Sequence, residues 1–176
     1  MCYTYKVNLI SENCYILKKN GIYNEIKRHG GDILRSGGMQ KEKKFIQHGK
    51  VSVYAHSVLV AALCVMIARK LRLKVNEKSL VRGALLHDYF LYDWHIPDKK
   101  RKQHAFHHAE AALLNAERDF KLDNVEKNMI SAHMFPLGGS FPRYKESIIL
   151  CVADKISAAR ETLAGRFQAK KRRHRK

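Results

Sequence analysis

The sequence predicts an all-α fold, a helical bundle around one hydrophobic core. The chain has 176 residues, the size of a single domain, and 45% of them are apolar, which is enough to fill one core. Only three residues are proline. Apolar side chains recur at three- and four-residue intervals along most of the chain, which is the spacing of a helix face. We therefore expect helices to build the core.

The first half of the pattern predicts three helices. Apolar spacing places one helix at about residues 52–72. Asn76 can cap a second helix, which runs to the dipeptide His87-Asp88. A loop that contains Pro97 follows, and a third helix begins near His108.

The second half predicts two further helices. Asp123 and Glu126 have the spacing of a capping box, which opens a helix that reaches His133. Residues 136–142 contain two prolines and two glycines and therefore form a loop. A last long helix is expected from about Tyr144 to Phe167.

The two ends of the chain lack the clear helical pattern of the middle. Gly30-Gly31 and Gly37-Gly38 interrupt the N-terminal part, so we expect residues 1–38 to form a peripheral leader. The compact domain is then expected at residues 39–167. Residues 168–176 are dominated by cations and are predicted to be a basic, disordered tail.

The net charge of +18 is unevenly distributed. The last seven residues contribute six cations and no anion, so the body of the chain is only mildly basic. Such a tail can bind nucleic-acid backbones without sequence preference. A basic nucleic-acid-binding module is therefore one functional hypothesis, although terminal cations are more often simply solvated. Deleting the tail and measuring nucleic-acid affinity would test it.

The sequence gives no sign of export or of a membrane span. The first residues, Met1 to Lys6, lack a basic segment followed by an apolar one, so no signal peptide is evident. The longest apolar stretch, Val58 to Ala68, has eleven residues and is too short to cross a bilayer. Cys64 and Cys151 fall inside apolar helical patterns, as buried thiols do. We expect a reduced, cytoplasmic protein with no membrane partner.

Several polar residues interrupt helix faces that should be buried. His56 shares a face with Val60, and Asp154 follows Leu150 by one turn. One such histidine is more often an ordinary hydrogen-bonded core residue. A buried carboxylate, however, is costly unless it is paired or bound to a cation. A metal site shared by several histidines and aspartates would satisfy them all, since imidazole and carboxylate groups hold transition metals.

The order of these residues resembles the ligand pattern of the HD-domain superfamily of metal-dependent phosphohydrolases. The matching positions are His56, His87, Asp88, His108, His133 and Asp154. Two extra histidines are typical of the members that bind two metals. The resemblance covers roughly Met39 to Thr162, and residues 82–94 are similar to a poorly characterised bacterial branch. His107 is an alternative to His108, which we prefer because related segments place the ligand four residues after an earlier histidine, here His104.

The resemblance implies an all-α bundle with metal ions between its helices. His56, His87, Asp88 and Asp154 would bind a first metal. His108 and His133 would bind a second metal, with Asp88 as the bridge between the two. The expected ions are Mn²⁺, Fe²⁺ or Co²⁺, with Mg²⁺ as a further candidate. Metal-activated hydroxide would then attack a phosphate ester or anhydride.

The substrate is expected to be a nucleotide or a related small phosphorylated metabolite. Lys155, Arg143 and His104 are candidates for substrate binding, because each is basic and lies beside a predicted ligand or loop. Asp88, His104 and Lys155 are the candidate catalytic residues. The same ligand set can also hold two irons that activate oxygen, so a di-iron oxygenase is an alternative that oxygen consumption would reveal. The sequence leaves the oligomeric state open.

Overall fold

The computed structural model describes residues 21–48, 51–93 and 104–173, and within these residues the chain is a helical bundle. This confirms the predicted all-α class. One two-stranded antiparallel ribbon joins the bundle. In chain order the elements are α1 (Ile22–Arg35), α2 (Gly37–Lys41), β1 (Ile46–His48), β2 (Val51–Ser52), α3 (Val53–Lys70), α4 (Glu77–Leu86), α5 (His104–Asp119), α6 (Asn124–Ala132) and α7 (Lys145–Arg173).

Side-chain caps fix where the central helices begin. The Asn76 side chain accepts a hydrogen bond from the Ser79 N–H at the start of α4, as the sequence predicts. Asp123 and Glu126 form a complete capping box at the start of α6. Each cap satisfies N–H groups that the first helical turn leaves without a partner. The helices therefore start at positions that can be read from the sequence.

Helix α3 lies at the centre of the bundle and packs against α4 and α7. Val60, Ala61 and Cys64 are fully buried on it. By length and composition alone this helix could cross a membrane, with a mean hydropathy of 1.5 over 18 residues, but half of it is buried inside the protein. It also carries the buried, polar His56. These are the properties of a core helix.

Helix α1 differs from the expected peripheral leader, because it belongs to the core. Ile26 and Ile33 are fully buried in the same hydrophobic cluster as α3 and α4. Gly30 kinks the helix without ending it, and a Cβ there would lie 2.3 Å from Leu85 Cδ1. The glycine thus permits close packing on α4 where it was expected to mark a boundary. Residues 1–20 of the predicted leader lie outside the described residues.

The last helix also extends further than expected. A disordered tail is predicted from residue 168, whereas α7 continues to Arg173. Lys, Arg, Gln and Ala favour helices, and cations near a helix C-terminus interact favourably with its dipole. The helix propensity of these residue types is therefore consistent with a helix that continues to Arg173. Residues 174–176 lie outside the described part of the chain.

Candidate metal centre

The helices bring all six predicted ligands into one buried cluster. His56 lies on α3, His108 on α5 and Asp154 on α7, while His87 and His133 follow the last residues of α4 and α6. The residues form two sets of three, and within each set the potential ligand atoms lie within 4.8 Å of one another. We call them the His56 group (His56, His87 and Asp154) and the Asp88 group (Asp88, His108 and His133). Five of the six residues are buried, and Asp154 is half-buried.

Two of the histidines are oriented by the helix ends that carry them. His87 Nδ1 lies 2.8 Å from the Ala84 carbonyl oxygen, and His133 Nδ1 lies 2.7 Å from that of Ile130. Because a carbonyl oxygen only accepts, each Nδ1 must carry the proton. Whenever the ring is neutral, the lone pair of Nε2 therefore faces the cluster, as a metal ligand requires.

The Asp88 carboxylate lies between the two groups. Its Oδ1 atom is 3.4 Å from Nε2 of both His108 and His133. Its Oδ2 atom is 3.2 Å from His87 Nε2 and 3.7 Å from His56 Nε2. Each oxygen therefore faces one pair of imidazoles, which is the arrangement that a bridging carboxylate requires.

Asp154 is the second carboxylate beside the imidazoles of the His56 group. Its Oδ1 atom is 3.0 Å from His56 Nε2 and 3.6 Å from His87 Nε2. The chain thus surrounds this group with two carboxylates, Asp88 and Asp154. Burial makes two neighbouring negative charges costly, so positive charge must accompany them.

The pKa shifts show how strongly the cluster attracts positive charge. Burial alone would lower the pKa of His56, but hydrogen bonds to Asp154 and Glu161 raise it to about 9. The pKa of His87 is also raised well above its usual value despite burial, mainly by the charge of Asp88. Conversely, burial would raise the pKa of Asp88, yet the charges of His87 and His133 hold it well below its usual range. The carboxylates stay ionised and require cations beside them.

The residues fit a pair of divalent transition metals. Four imidazoles and two carboxylates supply the nitrogen and oxygen donors that Mn²⁺, Fe²⁺ and Co²⁺ accept. Among the described residues, the buried atoms His87 Nε2 and Asp88 Oδ1 have no hydrogen-bond partner. Buried polar atoms without a partner are rare, and here both point at positions where a cation would satisfy them. In addition, His108 Nε2 lies only 2.8 Å from His133 Nε2, so a proton or a metal must separate the two lone pairs.

Two residues that were not predicted from the sequence contact members of the cluster. Gln47 on β1 donates a hydrogen bond from Nε2 to Asp88 Oδ2 over 2.5 Å. Glu161 on α7 accepts a hydrogen bond from His56 Nδ1, with its Oε1 atom at 2.9 Å. Glu161 follows Asp154 by seven residues, two helical turns, and this spacing could have revealed it. Gln47 gives no comparable signal, because its position depends on how the ribbon packs.

The predicted substrate-binding residues lie at different distances from the cluster. Lys155 is exposed, and its ammonium donates to the main-chain oxygens of His133 and Cys151, each at 3.4 Å, so it contacts the backbone of one residue of the Asp88 group. Arg143 is exposed, and its main-chain N–H donates to Asn128 Oδ1 over 2.8 Å. The side chains of His104 and His107 lie outside the described residues, so the preference for His108 over His107 stays a prediction.

Comparison with known proteins adds one finding to this geometry. A family model described as HD domain matches residues 53–159. The matched segment covers most of the chain and contains all six residues of the cluster. No curated protein and no solved structure matches the chain.

Proposed function

We propose that this chain, which belongs to the HD domain family, is a metal-dependent phosphohydrolase that cleaves a phosphate ester or anhydride. The family generally comprises metal-dependent phosphohydrolases, and its members typically bind divalent metals. The observation that carries the proposal is the position of Asp88, whose two carboxylate oxygens face different pairs of imidazoles.

The two groups would each hold one ion. His56, His87 and Asp154 would hold the first and His108 and His133 the second, with Asp88 shared between them. When bound, two divalent cations lower the pKa of a water molecule and neutralise the oxygens of a phosphoryl group. The donor set suits Mn²⁺, Fe²⁺ or Co²⁺, and Mg²⁺ is a further candidate.

The protein's own groups would orient the ligands and bind the substrate. The main-chain bonds to His87 and His133 keep both Nε2 lone pairs directed at the cluster. Gln47 restrains the bridging carboxylate of Asp88. The Lys155 ammonium, at the edge of the cluster, would pair with a phosphoryl oxygen. Arg143 would bind phosphate from its loop, and His104 would bind phosphate or give a proton to the leaving group.

The charge of the chain supports an anionic substrate. A small phosphorylated metabolite, such as a nucleotide, carries several negative charges. The body of the chain remains mildly basic when the C-terminal cations are excluded, and such a potential raises the local concentration of an anionic substrate. We place the reaction in the cytoplasm, where nucleotides are abundant.

Metal analysis combined with a substrate panel tests this proposal. The purified protein should contain a transition metal, lose activity in a chelator and regain it with Mn²⁺, Fe²⁺ or Co²⁺. The panel should include phosphomonoesters, nucleotides and cyclic dinucleotides, with phosphate release as the readout. Absence of bound metal together with absence of activation by any metal would overturn the proposal. Oxygen consumption by iron-loaded protein without phosphate release would favour the oxygenase instead.

A further inference from the structure

Glu161 is a buried carboxylate that touches the cluster without belonging to it. Both of its oxygens lie near His56 Nδ1, at 2.9 and 3.1 Å, on the side of the ring opposite the Asp154 contact. Ser157, one turn earlier on α7, donates a hydrogen bond to Glu161 Oε1 over 2.7 Å. Both residues are buried, so solvent does not weaken these bonds.

This arrangement sets His56 apart from two other histidines of the cluster. His87 and His133 direct Nδ1 at neutral main-chain carbonyls, whereas His56 directs it at a charged carboxylate. A carboxylate behind an imidazole fixes the tautomer and makes the ring a stronger metal ligand. It also adds a negative charge one ring away from the place where a cation would bind.

The two halves of the cluster therefore differ in negative charge. The His56 group contains Asp154, is supported by Glu161 and shares Asp88 with the other half. The Asp88 group consists of two imidazoles and the shared carboxylate of Asp88, whose Oδ1 atom lies 3.4 Å from both. A divalent cation is consequently attracted more strongly to the His56 side.

We propose that Glu161 is a positioning residue that makes the His56 group the tighter of two metal sites, so that the ions bind in order. The first ion enters the His56 group and the second enters the Asp88 group. The inference rests on the metal-binding part of the proposed function, but it does not depend on the reaction or the substrate.

Titration of the metal-free protein with Mn²⁺, followed through the electron paramagnetic resonance signal of the free ion, tests the proposal. The wild-type protein should bind two ions with different dissociation constants. Glu161→Gln keeps an acceptor for His56 but loses the charge, and should raise the dissociation constant of the first ion about 10-fold. Glu161→Ala loses both the acceptor and the charge, and should raise the dissociation constant of the first ion about 100-fold. The dissociation constant of the second ion should change less than about 3-fold.

Glu146→Gln is the matched control. Glu146 is also buried on α7, but it accepts a hydrogen bond from the Asn76 N–H over 2.7 Å, away from the cluster. This variant should leave both dissociation constants unchanged, and thermal unfolding should show that each variant is folded. Ser157→Ala, which keeps the carboxylate but removes one restraint, should show a smaller selective loss than Glu161→Ala.

The outcomes separate this inference from the proposed function. One outcome is that the wild type binds two ions while Glu161→Gln changes both dissociation constants equally or changes neither. That result would overturn the role of Glu161 and leave the metal site intact. A wild-type protein that binds no Mn²⁺ and no other divalent metal would overturn both. Weaker binding of the first ion alone in Glu161→Gln supports the role of Glu161 and the metal-binding part of the proposed function.

Discussion

Gln47 donates a hydrogen bond to Asp88 over 2.5 Å, although the two residues are 41 positions apart in the chain. The bond joins the short ribbon to the carboxylate at the centre of the cluster. Gln47 itself is buried, and its own Oε1 atom has no hydrogen-bond partner among the described residues. The ribbon thus helps to set the orientation of the bridging group.

Replacement of this glutamine should impair the site more than the fold. Gln47→Ala removes one restraint on the Asp88 carboxylate, and we expect phosphate release to fall about 10- to 100-fold, as for other partners of metal ligands. Gln40→Ala is the control, because the Gln40 side chain bonds the Leu34 carbonyl on an exposed surface. Equal activity of the two variants would show that the Gln47 bond has no role in the reaction.

Removal of the bridging carboxylate should abolish the reaction. Asp88→Ala deprives both groups of their shared ligand, so phosphate release should fall more than about 100-fold, beyond the loss expected for an indirect partner. Bound metal, measured by elemental analysis, should fall as well. Asp119→Ala is the control, because Asp119 contacts Tyr89 and Arg118 and not the cluster. Retained activity in Asp88→Ala would contradict the proposed bridge.

The stability of the metal-free protein should fall as pH rises. The pKa of His56 is raised from its usual 6.5 to about 9, despite burial, by Asp154 and Glu161. The resulting stabilisation is complete below pH 6.5 and is lost as pH rises through 9. Burial raises the pKa of Glu42 to about 8, so its contribution is lost from about pH 4.5 upward in the same direction. The Tm in a chelator should therefore drop by at least about 5 °C between pH 5 and pH 9.

Glu42→Gln separates the two contributions to this pH dependence. The variant has no carboxylate to ionise at position 42, so its Tm should decline less steeply between pH 5 and pH 8 than that of the wild type. The amide can still accept the hydrogen bond that the Leu91 N–H donates to Glu42 Oε1 over 3.0 Å. A wild-type Tm that stays constant or rises from pH 5 to pH 9 would contradict both assignments.

The contact between α4 and α6 should tolerate no added methyl group. A Cβ at Gly83 would lie 2.6 Å from Met129 Sδ and 3.0 Å from Met129 Cβ, so part of the obstruction is close to the backbone. Gly83→Ala should destabilise the protein by about 1–3 kcal/mol, seen as a lower midpoint in urea unfolding. Gly139→Ala should leave the midpoint nearly unchanged, because a Cβ there meets nothing within 4 Å. Equal urea midpoints for Gly83→Ala and Gly139→Ala would show that α4 and α6 move apart at little cost.

The sequence predicts the centre of this fold better than its edges. Helices α3, α4 and α6 begin within a residue or two of the predicted positions, because Asn76 and Asp123 are local caps. The sequence does not predict that helix α1 belongs to the core, because Gly30 suggests a break, while its close packing on Leu85 is a tertiary property that no local pattern reveals.

The site shows the same division between local and long-range information. His56 and Asp154 stand out because each interrupts an apolar helix face, and the structure brings them within 3.0 Å of each other. Gln47 does not stand out, because a polar residue on a short strand is ordinary. Glu161 lies in the middle of α7, and only its spacing of seven residues from Asp154 could indicate it. Their importance depends on partners 41 and 105 residues away.

The main-chain anchors of His87 and His133 have a consequence for mutational tolerance. Their acceptors are the carbonyl oxygens of residues 84 and 130, which every amino acid supplies. Substitutions at these two positions that keep the helix and fit the core should leave both imidazoles aimed as before. The His56 anchor, in contrast, depends on one particular side chain. Substitutions at position 161 should therefore change the environment of His56 more readily than substitutions at positions 84 and 130 change the orientation of His87 and His133.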